Sequence, residues 1–361
     1  MPSSTFSSDR APQKRWGLIW IFTGILSVSA ISGIEMFWRA QGQVPVVNDG
    51  QELWSWYRNE VYGDPQKTVV LVGRSRQMCG FWTEGFRDRF PHHKLVQLSV
   101  AGAKVLPVFR NLAQDEAFSG TVFCSIMPYD LSAPIDQPHP YLDYYIAQEK
   151  QSESLFEHWE FGARHHLNSL VALNPRTSLK SAWRHFYMHR SLPTPVNDQW
   201  RFDRAKYYDF SDADLEEKRA QHLKHNKPGK PREPKSWLRK AVRIEAYVRK
   251  IQDRGGRVVF LRYPTTGENQ ARSEMKYPKH QIWDKFAEAT SAETLHFKDV
   301  PAMCELECPD YSHLDIRDAP GFTSMLLDEL VLRNVLPGDA DATDKSVGNR
   351  NRYADRMAAT R

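Results

Sequence analysis

The sequence contains little cysteine and no strong excess of either charge. Lysine and arginine number 49 and aspartate and glutamate number 44, so the net charge is only +5 and is spread over many segments. A nucleic-acid-binding protein needs a concentrated basic face, so we expect no nucleic acid partner. The sequence also lacks an internal repeat and a His-Glu-x-x-His motif. Its 361 residues are enough for one large domain or two ordinary ones.

The four cysteines are Cys79, Cys124, Cys304 and Cys308. Cys79 and Cys124 fall on segments that we expect to be buried, where a free thiol packs as a small apolar side chain. Cys304 and Cys308 are close enough in sequence for a disulfide across a short loop, which an exported protein permits. Their Cys-x-x-x-Cys spacing by itself does not indicate zinc, because a structural zinc site needs two further ligands.

Several histidines suggest a metal site without completing one. His185 and His189 are four residues apart, which places both on one face of a helix. A zinc site needs three or four ligands that converge, so a metal-dependent hydrolase requires this pair to meet carboxylates in the fold. We therefore predict no metal and no other cofactor.

One long apolar segment is not part of a soluble core. Residues 16–34 carry no charge over 19 positions, and about 20 residues are needed to cross a bilayer as a helix. Arg10, Lys14 and Arg15 precede the segment, so the positive-inside rule predicts a cytoplasmic N-terminus and an extracytoplasmic main domain. A cleaved signal peptide is the alternative, because the segment Val28-Ser29-Ala30 resembles a cleavage site.

Beyond this segment, short apolar runs alternate with amphipathic stretches. The predicted strands are 68–72, 95–100, 121–127 and 257–261, with a short edge strand at 294–297. The predicted helices are 77–90, 105–114, 237–254, 281–290 and 319–336. Strands that alternate with helices at this spacing predict a three-layer α/β/α fold around a parallel sheet.

The pattern breaks after the third strand. Residues 131–230 have no clean strand, and the basic stretch 216–240 contains Pro-Gly and resembles a flexible, solvated excursion. The predicted layout is a cytoplasmic tail (1–15), a membrane anchor (16–38), the α/β domain (40–336) with a helical and loop insertion (131–235), and a disordered tail (337–361).

Chemically useful residues follow the predicted strands. Ser75, Gly102 and Asp130 each come directly after a strand, and the carboxyl ends of parallel strands meet at one edge of a sheet. Asp310 and His313 precede the last helix and are expected to fold over that edge. A serine that is activated by a histidine, with a carboxylate that orients the ring, is the arrangement needed for nucleophilic attack on an ester.

Three arginines lie near these positions in the sequence. Arg74 and Arg76 flank Ser75, and Arg262 follows the fourth strand. Guanidinium groups form forked bonds to carboxylates, so they suggest recognition of an acidic glycan or another anionic group. The alternative is that they form structural ion pairs.

Three parts of the sequence resemble, in order, three conserved blocks of the SGNH, or GDSL, hydrolases. They are the segment Gly73-Arg74-Ser75-Arg76, Gly102, and the segment Asp310–Leu314. The likeness is to the membrane-anchored members of bacterial cell envelopes. The resemblance implies a flavodoxin-like sheet, with Ser75 as nucleophile, His313 as base and Asp310 as its partner. It also implies that the backbone amides of Ser75 and Gly102 hold the oxyanion.

The resemblance implies an esterase or O-acetyltransferase that acts on acyl esters of an envelope or exported polysaccharide. Such a protein sits in the inner membrane with its domain in the periplasm, beside other proteins of polysaccharide biosynthesis. Water as the acceptor makes it an esterase, and a sugar hydroxyl makes it a transferase. The sequence leaves this choice open, because both reactions use the same three side chains.

One block departs from the family pattern. In the family, the third strand usually ends with an asparagine that donates to the oxyanion. Here residues 125–130, at the end of the third predicted strand, read Ser-Ile-Met-Pro-Tyr-Asp. An ionised aspartate cannot donate, and a missing donor costs ~10²–10³ in rate. Ser125, Arg74, Arg76 and backbone amides are the available substitutes. The alternative function is therefore a non-catalytic scaffold or glycan-binding component of an exopolysaccharide assembly system.

Overall fold

The computed structural model describes residues 16–43, 45, 49–149, 155–172, 177–193, 199–200 and 203–338. The chain divides into two compact units, residues 1–46 with 166–196 and residues 47–165 with 197–361. The predicted cytoplasmic tail and all but two residues of the predicted C-terminal tail lie outside the described residues.

The strands in chain order are β1 (Thr68–Val72), β2 (Lys94–Gln97), β3 (Thr121–Ser125), β4 (Gln199–Trp200), β5 (Lys206–Tyr207), β6 (Arg257–Arg262) and β7 (Glu293–His296). The helices are α1 (Trp16–Ala40), α2 (Gln51–Asn59), α3 (Ser75–Gly80), α4 (Thr83–Arg89), α5 (Leu106–Gln114), α6 (Pro128–Leu131), α7 (Pro140–Glu149), α8 (Leu155–Leu170), α9 (Leu179–His189), α10 (Leu215–His225), α11 (Pro234–Ala241), α12 (Glu245–Gln252), α13 (Gly267–Lys276), α14 (Trp283–Ala289), α15 (Pro301–Cys304) and α16 (Ala319–Leu332). Single 3₁₀ turns lie at Val242–Ile244 and Phe297–Asp299.

Five strands of the larger unit form one parallel sheet in the order β2-β1-β3-β6-β7. This confirms the predicted α/β class and places β7 at an edge, as its short apolar run suggested. Every residue of β1 and β3 is buried, because helices cover both faces of a parallel sheet. After β1 the chain forms β2 on one side of β1 and then crosses to form β3 on the other side. Ligands bind at such a switch point in the strand order.

The two faces of the sheet pack into separate cores. Side chains of a strand alternate between faces, so Val70 and Val72 join a core that includes Phe109 and Phe260. Val69 and Leu71 point the other way and pack in a second core with Phe322 of α16. The sheet is thereby held rigidly between two apolar layers, and the ends of its strands are fixed in space.

Two predicted helices are interrupted. The segment predicted as one helix over 77–90 forms α3 and α4, with Phe81 and Trp82 between them. The backbone N–H of Trp82 donates to Oγ1 of Thr323, 2.7 Å away, instead of continuing the helix. The predicted helix 237–254 is likewise divided into α11 and α12 by a 3₁₀ turn.

The prediction of a flexible excursion over 216–240 is wrong for α10. This helix runs from Leu215 to His225, and Asp214 caps it by accepting a hydrogen bond from the backbone N–H of Glu217 at 3.0 Å. Acidic residues fill its first turn and basic residues its last, which complements the helix dipole. The first part of this charged run is therefore a capped helix, and none of its residues is buried, which agrees with the predicted solvated surface.

The four cysteines are free thiols in the structure. Cys79 and Cys124 are buried, as expected from their segments. The disulfide predicted between Cys304 and Cys308 is not formed. Sγ of Cys304 contacts the carbonyl oxygen of Phe297 at 3.8 Å. Sγ of Cys308 is buried and contacts the carbonyl oxygen of Pro264 at 3.7 Å.

The smaller unit contains α1, which extends the predicted apolar segment to Ala40. By length and composition α1 is able to cross a membrane. At its C-terminal end Trp38 is buried in a small cluster with Ala172 and Ala182 of α9. Arg39 donates to the carbonyl oxygen of Leu170 at 2.9 Å. The end of α1 is thus packed against a helix from far along the chain.

Candidate active site at the carboxyl edge of the sheet

Three side chains form a continuous hydrogen-bonded series at the carboxyl edge of the sheet. The Ser75 hydroxyl lies 2.8 Å from Nε2 of His313. Nδ1 of His313 lies 2.7 Å from Oδ2 of Asp310. Ser75 and His313 are 238 positions apart in the chain, so only the fold brings them together. With Nδ1–H donated to Asp310, Nε2 is free to accept the serine proton.

Ser75 is placed by a tight turn after β1. Gly73 permits this turn, because a Cβ there would lie 2.6 Å from Cβ of Gln77 and 3.1 Å from Cβ of Ser125. Ser75 is the first residue of α3, so its backbone N–H has no acceptor within the helix. The turn therefore presents a hydroxyl and an amide that the helix does not use.

Asp310 also shapes the loop that carries His313. Its Oδ1 accepts the backbone N–H groups of Ser312 at 2.8 Å and His313 at 2.7 Å. Tyr311 adopts φ +68° within this turn, a left-handed conformation that is uncommon for a residue with a side chain. The two backbone bonds hold the turn closed and fix where the imidazole points.

The surroundings of Asp310 and His313 keep the carboxylate charged and the imidazole neutral. Burial alone would raise the pKa of Asp310, but hydrogen bonds from His222 and His313 outweigh it and hold that pKa well below the usual range. Burial lowers the pKa of His313 below 6.5 despite its contact with Asp310, and the charge of Arg76 lowers it further. His313 is therefore neutral at neutral pH and able to accept a proton.

His222 is a member of this site that the sequence reasoning missed. Its Nε2 lies 3.0 Å from Oδ2 of Asp310, and its ring lies 5.2 Å from that of His313. Tyr208 flanks His313 on another side, with ring centroids 4.9 Å apart. Both come from the insertion. The Asp214 cap was a signal for the helix that carries His222, but nothing in the sequence indicates where that helix docks.

By spacing alone, His222, Asp310 and His313 could hold a metal ion, since their ligand atoms lie within 4.8 Å of one another. In the arrangement observed, however, both ring nitrogens of His313 are engaged, one with Asp310 and one with Ser75. A metal on this trio would have to displace one of those bonds. Among the described residues, the metal-type cluster does not include His185 or His189, whose rings lie 4.6 Å apart on α9.

Gly102 and Ser75 both line a cavity of about 600 Å³. The φ of +74° at Gly102 favours glycine, which adopts this left-handed backbone conformation without strain, although a Cβ there would meet nothing within 4 Å. The serine and the glycine that were predicted to supply backbone donors thus line the same cavity. Ser125 instead ends β3 as a buried side chain packed against Gly73.

Asp130 and Arg74 form a structural ion pair. Nη2 of Arg74 lies 2.5 Å from Oδ1 of Asp130, and Oδ2 accepts the backbone N–H of Met127 at 3.2 Å. Burial raises the pKa of Asp130, with Arg74 opposing the rise. Asp130 thus holds the turn after β3 in place. Arg74 also reaches the cavity wall, with its guanidinium 5.2 Å from the ring centre of Tyr129.

Arg76 forms hydrogen bonds to the loop that carries His313. Its Nε donates to the carbonyl oxygen of Ser312 at 3.0 Å, and its Nη2 donates to Oγ of the same residue at 2.8 Å. Its Nη1 contacts Sδ of Met127 at 3.1 Å. Arg76 therefore ties the turn after β3 to the loop that positions His313.

The cavity collects residues that follow every strand of the sheet. They include Gly102 after β2, Ser75 after β1, Tyr129 after β3, Arg262 at the end of β6 and His296 at the end of β7. His222 of α10 and Asn226, which follows the end of that helix, also line it. Such a convergence at the switch point of a parallel sheet is typical of a ligand site.

No model of a known protein family matches the sequence, and no curated protein matches it either.

Proposed function

We propose that this protein is a serine-dependent ester hydrolase or O-acyltransferase. The observation that carries the proposal is the series Ser75–His313–Asp310, with separations of 2.8 Å and 2.7 Å. A serine hydroxyl is a weak nucleophile until a base takes its proton. Here a neutral histidine is already hydrogen-bonded to the serine, at the edge of an open cavity.

The reaction proceeds in two steps. Oγ of Ser75 attacks the ester carbonyl while its proton moves to Nε2 of His313, and the backbone amides of Ser75 and Gly102 stabilise the oxyanion. His313 then gives the proton to the departing alcohol as the carbon–oxygen bond breaks, which leaves an acyl group on Ser75. Water or a sugar hydroxyl, deprotonated by His313, then attacks the acyl carbon. His313 returns the proton to Oγ of Ser75 as the bond between the acyl group and the serine breaks.

The substrate class follows from the resemblance to SGNH hydrolases of the cell envelope. We propose an acyl ester of an envelope or exported polysaccharide. The long apolar helix α1 supports a membrane anchor, and the basic residues before it favour an N-terminus in the cytoplasm and a catalytic domain in the periplasm.

The test is hydrolysis of p-nitrophenyl acetate by the full-length protein in detergent. We expect a Ser75→Ala variant to lose turnover by on the order of 10³-fold or more. Ser273→Ala is the matched control, because Ser273 lines the same cavity and contacts Asn226 rather than the triad. A fluorophosphonate probe, located by peptide mass spectrometry, should label Ser75 in the parent protein.

A scaffold or glycan-binding role is the second candidate, and one observation favours it. Where the SGNH hydrolases that the sequence resembles carry an oxyanion-binding asparagine, this chain has Pro128, Tyr129 and Asp130, and the aspartate is engaged by Arg74. If the folded parent protein neither hydrolyses the ester nor reacts with the probe, the catalytic proposal fails and this second role is favoured.

A further inference from the structure

Arg262 is an almost fully buried cation with only neutral acceptors. It ends β6 and is 5% exposed, and it lines the cavity beside Ser75. Its Nη1 donates to the carbonyl oxygen of Tyr263 at 2.7 Å, and its Nη2 to Oγ1 of Thr265 at 3.3 Å. Among the residues that the structure describes, no carboxylate forms an ion pair with it. Glu274 acts on this guanidinium electrostatically without forming an ion pair with it, and a buried charge without a paired counter-charge is costly.

Arg76 carries a second positive charge on the wall of the same cavity. All its hydrogen bonds go to neutral atoms of Ser312 and Met127, and within the described part of the chain it too has no carboxylate partner. The pKa of Arg262 is lowered to about 9, first by burial and next by the charge of Arg76. Two like charges that repel each other thus line the cavity that also contains Ser75.

Two of the other cations on the cavity wall have carboxylate partners. Arg74 is paired with Asp130, and Lys279 is paired with Asp284 and Asp299.

The acidic side chain on the wall, Glu274, lies 2.8 Å from Lys298 and also accepts the backbone N–H of Lys279. Lys276 also lines the wall, and its ammonium donates to neutral acceptors, Oδ1 of Asn226 and the carbonyl oxygen of Lys227. The wall therefore carries an excess of positive charge that comes from Arg76, Arg262 and Lys276.

We propose that the cavity binds an anionic group of the substrate, a sugar carboxylate or a similar oxyanion, between Arg262 and Arg76. This deepens the proposed function and rests on it only for the statement that the ligand is an ester. An anion at this point neutralises the two guanidinium groups and orients the substrate. The ester that Ser75 attacks then belongs to an acidic saccharide.

Binding is tested without catalysis by titrating the full-length protein calorimetrically with glucuronate, and with glucose as the uncharged counterpart. We expect glucuronate to bind at least tenfold more tightly, since a hydrogen bond to a charged group contributes enough for about tenfold to a hundredfold. Inorganic phosphate and sulfate, titrated separately, decide between a carboxylate and another oxyanion. Equal affinity for glucuronate and glucose would overturn the proposal, whatever the fate of the esterase assay.

Hydrolysis supplies the second readout. The substrates are 4-acetoxybenzoate and its methyl ester, which differ by one charge on the leaving group. Arg262→Met should reduce kcat/KM for the anionic ester by about tenfold to a hundredfold and leave the neutral ester within twofold. Arg239→Met, an exposed arginine outside the cavity, is the control. An equal loss for both substrates would show a structural role for Arg262 and contradict the proposal.

A separate observation concerns α9, which carries an apolar stripe on its exposed side. Leu179 is 88% exposed, Trp183 70% and Tyr187 69%. Residues that recur at every fourth position of a helix lie on one face, and Phe186 extends the same face. Lys180 and Arg184 flank the stripe. A short helix with Trp, Phe and Leu on one face and cations beside it is typical of one that lies in a membrane interface.

The attachment of α9 to α1 indicates what covers this stripe. Ala182 packs against Trp38, near the C-terminal end of the apolar helix, and the side-chain amide of Gln43 donates to the carbonyl oxygen of Pro193 at 2.8 Å. These contacts fix α9 at the level where α1 leaves the apolar layer. We infer that α9 lies on the bilayer that α1 crosses, with its aromatic stripe among the lipid headgroups.

Spin labels on the full-length protein test this in vesicles of phosphatidylethanolamine and phosphatidylglycerol. Cys304→Ser removes the exposed thiol, and the other three cysteines are buried. A label at Trp183→Cys should be shielded from a water-soluble nickel relaxation agent and accessible to oxygen. A label at Met188→Cys, about half a turn away around the helix, should show the reverse. Equal accessibility to nickel at both positions would overturn the inference.

Discussion

His222 and Asp310 are joined by a hydrogen bond of 3.0 Å to Oδ2, the same carboxylate oxygen that lies 2.7 Å from Nδ1 of His313. Two histidines therefore share one acceptor. The ring of His222 also lies beside that of His313. His222 is thus a positioning residue that acts on the base through the aspartate.

Replacing His222 should move the acid limb of the pH–rate profile to higher pH. His313 must be neutral to act as a base, and its pKa is lowered by burial, by Arg76 and by His222. In the parent protein kcat/KM should therefore rise with pH at a midpoint below 6.5, the ordinary histidine pKa. In His222→Gln, Asp310 has one competing histidine fewer and the lowering charge is gone, so the midpoint rises.

The matched control for this measurement is His225→Gln. His225 lies one turn further along α10, where its Nδ1 contacts the carbonyl oxygen of Gln221 at 2.8 Å rather than Asp310. Its removal should leave the midpoint unchanged. A shift of the midpoint in the control, or none in His222→Gln, would contradict the assignment.

A methyl group at Gly73 should disturb the nucleophile. Its Cβ would lie 2.6 Å from Cβ of Gln77 and 3.1 Å from Cβ of Ser125, so the turn that places Ser75 must shift. We expect Gly73→Ala to lower the free energy of unfolding by about 1–3 kcal/mol and to reduce ester hydrolysis. Denaturant unfolding and a hydrolysis assay check both effects.

Gly321→Ala is the comparison for this change, because a Cβ at Gly321 meets nothing within 4 Å. Alanine is the better helix former, so this variant should be as stable as the parent or more stable by up to about 1 kcal/mol. Parent-like stability and activity of Gly73→Ala would show that the turn relaxes without cost.

The buried pair Arg204–Asp49 should contribute strongly to stability. Nε of Arg204 lies 2.6 Å from Oδ1 of Asp49, with side-chain exposures of 0% and 2%. Arg204 also donates to the carbonyl oxygen of Ser99 at 3.3 Å, beyond the end of β2. Asp49→Ala leaves a guanidinium buried without a counter-charge, at a cost of about 3–5 kcal/mol in the free energy of unfolding.

Asp328→Ala provides the surface counterpart, since Asp328 is half exposed in its pair with Arg89. Its loss should cost about 1 kcal/mol or less. Chemical denaturation of both variants measures the difference. Similar costs for the two would mean that solvent or a rearranged side chain compensates Arg204.

Chelation should leave ester hydrolysis unchanged. Both ring nitrogens of His313 are engaged by Ser75 and Asp310, so the proposed reaction needs no ion at His222, Asp310 and His313. The measurement is hydrolysis after dialysis against EDTA, with the metal content followed by mass spectrometry. Activity that disappears on dialysis and returns with zinc would point to the trio as metal ligands instead.

The sequence by itself was enough for the local and periodic features. The β-branched run Thr68–Val72 predicts a buried strand, and the alternation of strands and helices predicts the parallel sheet, because apolar periodicity reflects which faces are covered. The uncharged run from residue 16 predicts a membrane-length helix for the same reason. Ser75, Asp310 and His313 were identifiable because each stands in a short motif.

Which distant groups meet depends on how the elements pack in three dimensions. Nothing near His222 in the sequence indicates that it shares the carboxylate of Asp310, and Asp130 was expected at the oxyanion but pairs with Arg74. The adjacency of Cys304 and Cys308 suggested a bond that the directions of their side chains prevent. Contacts across long loops depend on how helices dock, and docking depends on shape and burial summed over the whole domain rather than on any local pattern.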